Sequence, residues 1–266
     1  LKSEQLLSPH YAFDIGGAKT HILAEGSFTA DPAGIFGQRG LMDASSKAAR
    51  AARARHLSSD GCLAEPMMYG AVLVQVDGKN VLLDSCLGEV MLPPVMPADE
   101  DGVRRAPYPL LDTMERCAQV RPDEIDLVVH SHLHPDHIGW NMRFSLEGGT
   151  GELVATFPNA KHVVQQAEWA YPAKHFACPW RAHWETLCAP LEELGMLELV
   201  DGDVGLLPSL SLIRTPGHTP GHQCVRIASE GQVGFYVGDA LHTVAQVTWP
   251  ELSPLFDCCD WQAARA

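Results

Sequence analysis

The chain has 266 residues, 46% of them hydrophobic and 20% charged, with a formal net charge of −14. That is enough chain for one large domain, or at most two small ones, with a core that needs no disulfide or metal to hold the fold. The acidic balance disfavours a nucleic-acid partner, because phosphate binding relies on clustered Lys and Arg.

The densest basic stretch, "KAARAARARH" at 47–56, reads as a solvated helix face. The eight cysteines are scattered without a C-x-x-C pair, so neither a zinc ribbon nor a thioredoxin-like motif is present. They read as buried free thiols of a reducing cytoplasm. A periplasmic or secreted protein is the alternative if a signal peptide was removed. The first residue is Leu, so the extreme N-terminus is expected to be missing. No run of 18 apolar residues occurs, so no membrane helix is expected.

In chain order, "DIGGAKT" (14–20) is a turn and 19–28 is β-rich. Residues 43–57 form a helix candidate with Asp43 near its N-cap. Residues 69–88 predict a hairpin around the turn "DGKN". The Pro-rich 92–109 is a loop and 110–120 an amphipathic helix. The short apolar run "IDLVVHS" predicts an interior strand running to about residue 133. A strand follows at 160–166, then a helix at 183–195 closed by Gly195. Residues 197–203 and 210–222 predict strands, the latter ending in a Gly/Pro turn, and 223–242 a second hairpin. No internal repeat or low-complexity linker interrupts this order. It predicts a single α/β domain of mixed sheets with helices outside.

The chemistry concentrates in "HSHLHPDHIGW" (130–140). His132 and His134 are two apart on the predicted strand, so both can lean toward one point. Pro135 then forces a turn, and Asp136 and His137 face the same cavity from the start of a helix. His130 packs or supports the others. Imidazole and carboxylate without thiolate suit Zn2+, Mn2+ or Fe2+. One ion cannot easily use all four ligands; two ions can, with His132 and His134 on one and Asp136 and His137 on the other. A chance surface cluster is the bland alternative, and the apolar strand beside it argues against that.

"HLHPDH" (132–137) resembles the signature of the metallo-β-lactamase superfamily, and "DHIGWN" (136–141) with "TFPNAKHVV" (156–164) resembles its branch near the lactonases and organophosphate hydrolases. "TPGHTPGH" (215–222) resembles its third histidine motif and "YVGDALH" (236–242) its bridging-aspartate motif, in the expected order. The resemblance implies an αββα sandwich of four layers, two mixed sheets flanked by helices, over 1–266. It implies His132, His134 and His218 on one divalent ion, Asp136 and His137 on a second, and Asp239 bridging. Zn2+ is the first expectation, with Mn2+, Fe2+ or Co2+ as alternatives. His222 reads as a support of the ligands. The family's second metal has one more histidine further downstream, yet only His242 follows Asp239 here. Either a C-terminal segment is missing, or His242 substitutes, or the second site is weak. In the first case His242 lines the pocket.

The implied chemistry is hydrolysis by a water activated between the two ions, with Asp136 and Asp239 catalytic. A lactone or other carboxylic ester is the expected substrate. A thioester (as in glyoxalase II), a β-lactam and a phosphotriester are alternatives on the same site. A flavodiiron-type oxidoreductase would have Glu in place of His134 and a flavin domain. A relative with an impaired metal site is the non-enzymatic alternative. Trp140, Phe144, Trp169, Trp180 and Trp249 are candidates for an apolar pocket, with core packing as the alternative. Expected partners are a small-molecule substrate and, for a homodimer, a second copy; neither nucleic acid nor membrane is expected.

Overall fold

A computed structural model describes residues 10–28, 31–36, 56, 57, 59, 67–89, 110–145, 151–174, 178, 180–248, 254, 255 and 257. The helix expected at 43–57, the loop at 92–109 and Trp249 fall wholly or almost wholly outside them.

Strands β1 (His10–Ile15), β2 (Ala18–Phe28), β3 (Met67–Val76) and β4 (Lys79–Leu83) form an antiparallel meander. The β3–β4 turn is Asp77-Gly78, both at positive φ (52° and 73°), the geometry whose twist matches the flanking strands. Short helix α1 (Pro32–Phe36) follows β2. Helix α2 (Leu110–Thr113) runs into a π-helical turn, Met114–Ala118, that packs on this sheet. Parallel strands β5 (Leu127–Val129), β8 (Lys161–Gln165) and β9 (Leu197–Val200) complete a seven-stranded mixed sheet in the order β1-β2-β3-β4-β5-β8-β9. Between β5 and β8 lie α3 (Pro135–Ile138) and a two-stranded ribbon, β6 (Met142–Phe144) and β7 (Leu153–Ala155).

Helices α4 (Gln166–Lys174), α5 (Arg181–Leu187) and α6 (Ala189–Glu193) connect β8 to β9. The second sheet is β10 (Val204–Leu207), β11 (Leu210–Arg214), β12 (Gln223–Ser229) and β13 (Gln232–Tyr236). Last comes α7 (Ala245–Thr248).

Side-chain alternation assigns the layers. Val81 and Leu83 of β4 face the second sheet, meeting Leu210, Leu212, Val225 and Ile227 in the inter-sheet core. Leu82 points the other way, to Leu110, Met114 and Phe157. A third cluster joins Leu133 and Ile138 to Trp184, Leu187 and Leu191.

Three expectations are corrected, and some elements come in addition. The first sheet is mixed, but the second is wholly antiparallel. The strand of 125–133 stops at Val129, because the Ser131 N–H is taken by the Asp84 carboxylate (2.7 Å) instead of a ladder carbonyl. The helix of 183–195 is two helices that break at Cys188, with Pro190 in the first turn of the second. Finally β1, the β6–β7 ribbon and α4 were not anticipated; α4 carries Pro172 and little amphipathicity.

Candidate metal centre

The expected ligands converge on one rim of the sandwich, and both sheets supply them. From the first sheet, β5 ends and residues 130–134 run on without pairing as a strand. His134 is the extended N-cap of α3 and Pro135 its first residue, which sends Asp136 and His137 back over the rim. From the second sheet, the turn between β11 and β12 presents His218, and a 3-10 turn after β13 (Gly238–Ala240) presents Asp239. Gly238 allows the close approach: at φ +50°, a Cβ there would sit 2.6 Å from Ser131 Cβ and 2.9 Å from His222 Nε2.

Candidate ligand atoms of His132, His134 and His218 lie within 4.8 Å of one another. His218 Nε2 is 2.8 Å from His134 Nδ1. Asp239 lies between the halves: Oδ1 is 3.2 Å from His137 Nε2, and Oδ2 is 3.5 Å from His218 Nε2 and 3.1 Å from His242 Nε2. Asp136 Oδ2 is 3.8 Å from His137 Nε2. His222 does not turn its ring into the cluster; it accepts the Asp239 N–H (3.1 Å) on Nε2 and meets Thr215 Oγ1 (2.8 Å) at Nδ1.

Burial drives the His134 imidazole down to about 2, reinforced by the neighbouring His218 and His137, and pushes His132 far down too. Burial likewise takes His222 to about 4. Burial also acts downward on His137, but the carboxylates of Asp239, Asp136 and Asp84 outweigh it and hold its pKa well up. Partial burial raises Asp239, yet His137 outweighs it and keeps this carboxyl well below its usual range. Burial thus favours the uncharged form of His132 and His134, whose lone pairs stand close to the Asp239 carboxylate. One atom makes the point directly. His132 Nε2 is buried, and among the described residues it has no hydrogen-bond partner. An orphaned buried acceptor is costly, and a divalent ion would supply the missing partner.

Three positioning side chains were missed in the sequence. Asp84, at the end of β4, is fully buried and accepts from Ser131 N and Oγ, Tyr236 Oη (2.6 Å) and His137 Nδ1 (2.7 Å). Asp257 Oδ1 lies 2.8 Å from His218 Nδ1. These two carboxylates fix the rings of His137 and His218 with Nε2 toward the cluster. Glu25 is buried and ties the chain at Leu87, Gly88 and Leu110 to the Trp140 indole. Only Asp84 carried a signal, an acid closing the apolar run "VLLD".

A cavity of about 680 Å³ opens over the cluster. Its floor includes His134, Asp136, His137, His218, Asp239 and His242, and its walls include Ile22, Ile35, Met67, Met68 and Leu241. Trp180 lines it, edge-on to His134 at 4.3 Å. Trp140 does not line it: the ring is buried against the first sheet, with Nε1 donating to Glu25. Trp169 packs on Trp184 in the helical layer, and Phe144 is exposed on β6. His130 is buried against His162, with 3.1 Å between their ring nitrogens.

Two sheets face to face, helices outside, and a His/Asp cluster on the rim where both sheets end define a class of metallo-hydrolase sandwich. A family model described as "Metallo-beta-lactamase superfamily" matches residues 70–260, and the chain belongs to that superfamily. Curated relatives include an N-acyl homoserine lactonase of Bacillus cereus, 31% identical over 110 residues (41% of this chain, 36% of the relative). The N-acyl homoserine lactonase AttM of Rhizobium radiobacter is 30% identical over 139 residues, 47% of each chain. The matches thus span about half the length of the curated relatives or less. Among solved structures, AidC, a dizinc quorum-quenching lactonase in complex with a product, superposes with a TM-score of 0.71 at 21% identity, over 97% of this chain and 84% of that one. A probable metal-dependent hydrolase from Staphylococcus aureus gives 0.69 at 21% identity, over 95% and 83%. At such identities these likenesses establish the fold.

Proposed function

We propose that the protein is a metal-dependent hydrolase that opens a lactone, or cleaves another carboxylic ester, whose acyl part is apolar. The observation that carries this reading is the convergence of His132, His134, His218 and Asp239, the last three on the floor of a cavity with largely apolar walls. The likeness to N-acyl homoserine lactonases supports the choice of substrate class. His132, His134 and His218 would hold one divalent ion, Asp136 and His137 a second, with Asp239 shared. The nitrogen and oxygen donors suit Zn2+, Mn2+ or Fe2+, and zinc is the first expectation among them.

Bound there, two divalent ions supply Lewis acidity, acidifying a water and drawing charge from the scissile carbonyl. The chain's own residues do the rest. Asp84 and Asp257 hold their histidines in one tautomer and orientation. The Asp136 side chain, 36% exposed beside His137, accepts the proton of the attacking water and returns it to the leaving alkoxide. Ile22, Met67 and Met68 hold the acyl chain and exclude bulk water.

Metal analysis together with a substrate panel tests the reading. Zn2+-, Mn2+- and Co2+-reconstituted protein is assayed on acyl-homoserine lactones, aryl esters, a phosphotriester and nitrocefin. Two ions per chain with lactone or ester turnover is the expected result, and His134→Ala or Asp239→Ala abolishes it in folded protein. A protein that binds no divalent ion, or that hydrolyses only nitrocefin or the triester, overturns it.

A further inference from the structure

Glu168 stands in the first turn of α4 and is about 1% exposed. Burying a carboxylate costs several kcal/mol unless hydrogen bonds compensate. Its two oxygens point to different loops. Oε1 accepts the N–H of Leu133 at 3.0 Å, and Leu133 is the residue between His132 and His134. Oε2 accepts the N–H of Gly221 at 2.9 Å, on the turn that carries His218. The second loop is pressed hard against this helix: a Cβ at Gly221 would come within 2.1 Å of Glu168 N and 2.5 Å of Glu168 Cβ. The preceding strand end adds a neighbouring brace. Gln165 Nε2 donates to Gln223 Oε1 (2.9 Å), and Gln223 Nε2 donates to the His130 carbonyl (2.7 Å).

We propose that Glu168 is a positioning residue for the three-histidine set, its two oxygens locking the loop of His132 and His134 to the loop of His218 at the spacing one cation needs. The inference rests on the metallo-hydrolase reading. It asks more of Glu168 than packing. The two loops come from different sheets, and one backbone bond, Gln223 N–H to the Ser131 carbonyl (2.9 Å), joins them at their base; Glu168 ties them further out, beside the ligands themselves. A carboxylate offers an acceptor on each arm. The amide of Gln has one acceptor and one donor, so in Glu168→Gln one of the two loop N–H groups meets an N–H. Helix and cavity volume stay the same while the clamp loses one arm.

The test titrates metal-free protein with Zn2+ in competition with a chromophoric chelator, comparing wild type, E168Q and Met114→Ala. Met114 is buried on the far face of the first sheet, so its truncation destabilises the fold away from both loops. The expected result is two ions in wild type, one of them bound about 10- to 100-fold more weakly in E168Q, the range typical of groups that orient metal ligands. M114A keeps wild-type affinities at a lowered Tm. Unchanged affinities in E168Q overturn the clamp alone, as does an equal loss in M114A, which would trace the effect to general destabilisation. A wild type that binds no ion overturns the metallo-hydrolase reading instead. Should E168Q not fold, amide exchange in metal-free wild type decides. The Leu133 and Gly221 amides are expected to exchange as slowly as those of β5, and rapid exchange at either refutes the clamp.

Discussion

Replacing Asp84 by Asn perturbs the most heavily engaged carboxylate of the site. Asp84 receives four hydrogen bonds, one on Oδ1 (Ser131 N) and three on Oδ2 (Ser131 Oγ, Tyr236 Oη, His137 Nδ1). An Asn that keeps its oxygen on the crowded side must turn its NH2 toward the Ser131 N–H. One buried donor is then unsatisfied, at a cost of about 1–3 kcal/mol. For a chain of this size each kcal/mol lowers Tm by about 2–4 °C, so metal-free D84N should melt roughly 2–12 °C below wild type. The same change loosens His137, and divalent-metal affinity should fall about 10- to 100-fold at the Asp136–His137 side. Thermal unfolding in chelator gives the first quantity and Zn2+ titration the second. If D84N matches wild type in both, the Asp84 network neither holds the rim nor orients His137.

Gly139→Ala places a Cβ 1.8 Å from the Leu87 carbonyl oxygen, a backbone clash; it should cost about 3 kcal/mol or more, read by urea unfolding. Chelation should lower the Tm of reconstituted protein by about 5–10 °C, since free metal at about 100 times Kd adds roughly 2.7 kcal/mol; an unchanged melt speaks against a metal bound by the folded state. Burial pushes the thiols of Cys86 and Cys188 well up, so both should resist iodoacetamide at pH 8 until denaturant is added, as peptide mass spectrometry would show. His242→Ala should keep two ions per chain and raise KM, as expected of a cavity-lining residue beside Asp239; loss of the second ion would make His242 a ligand.

The candidate site was legible where chemistry-bearing residues follow strands: "HLHPDH", His218 and Asp239 each lie just past a run of alternating or apolar residues. The reason first given for His132 and His134 was wrong in detail. They lie beyond the strand, and a carboxylate 47 residues upstream ends it early. Asp84, Glu168, Glu25 and Asp257 were unread because a lone acid in sequence looks solvated, and only the fold reveals that donors surround it. The aromatic residues misled for a related reason. Trp140 and Trp180 look alike as letters, but one caps a buried Glu25 and the other faces the cavity. The turn at Gly16-Gly17 and the hairpin around Asp77-Gly78 were legible from turn chemistry, whereas β1 was not, and α4 lacked both a clear period and a stop signal.

Because half of the rim cluster hangs from one sheet and half from the other, the apolar layer between them works as a shim. Its thickness is set by Val81, Leu83, Val129, Leu210, Leu212 and Val225, none of which touches the cavity. Thin that layer by a few methyl groups and partial collapse of the core brings the two rims together, carrying His218 and Asp239 toward His132. Metal coordination tolerates about 0.2 Å. The sandwich therefore reads its own seating at the rim, and metal affinity becomes a gauge of how well the two sheets are stacked.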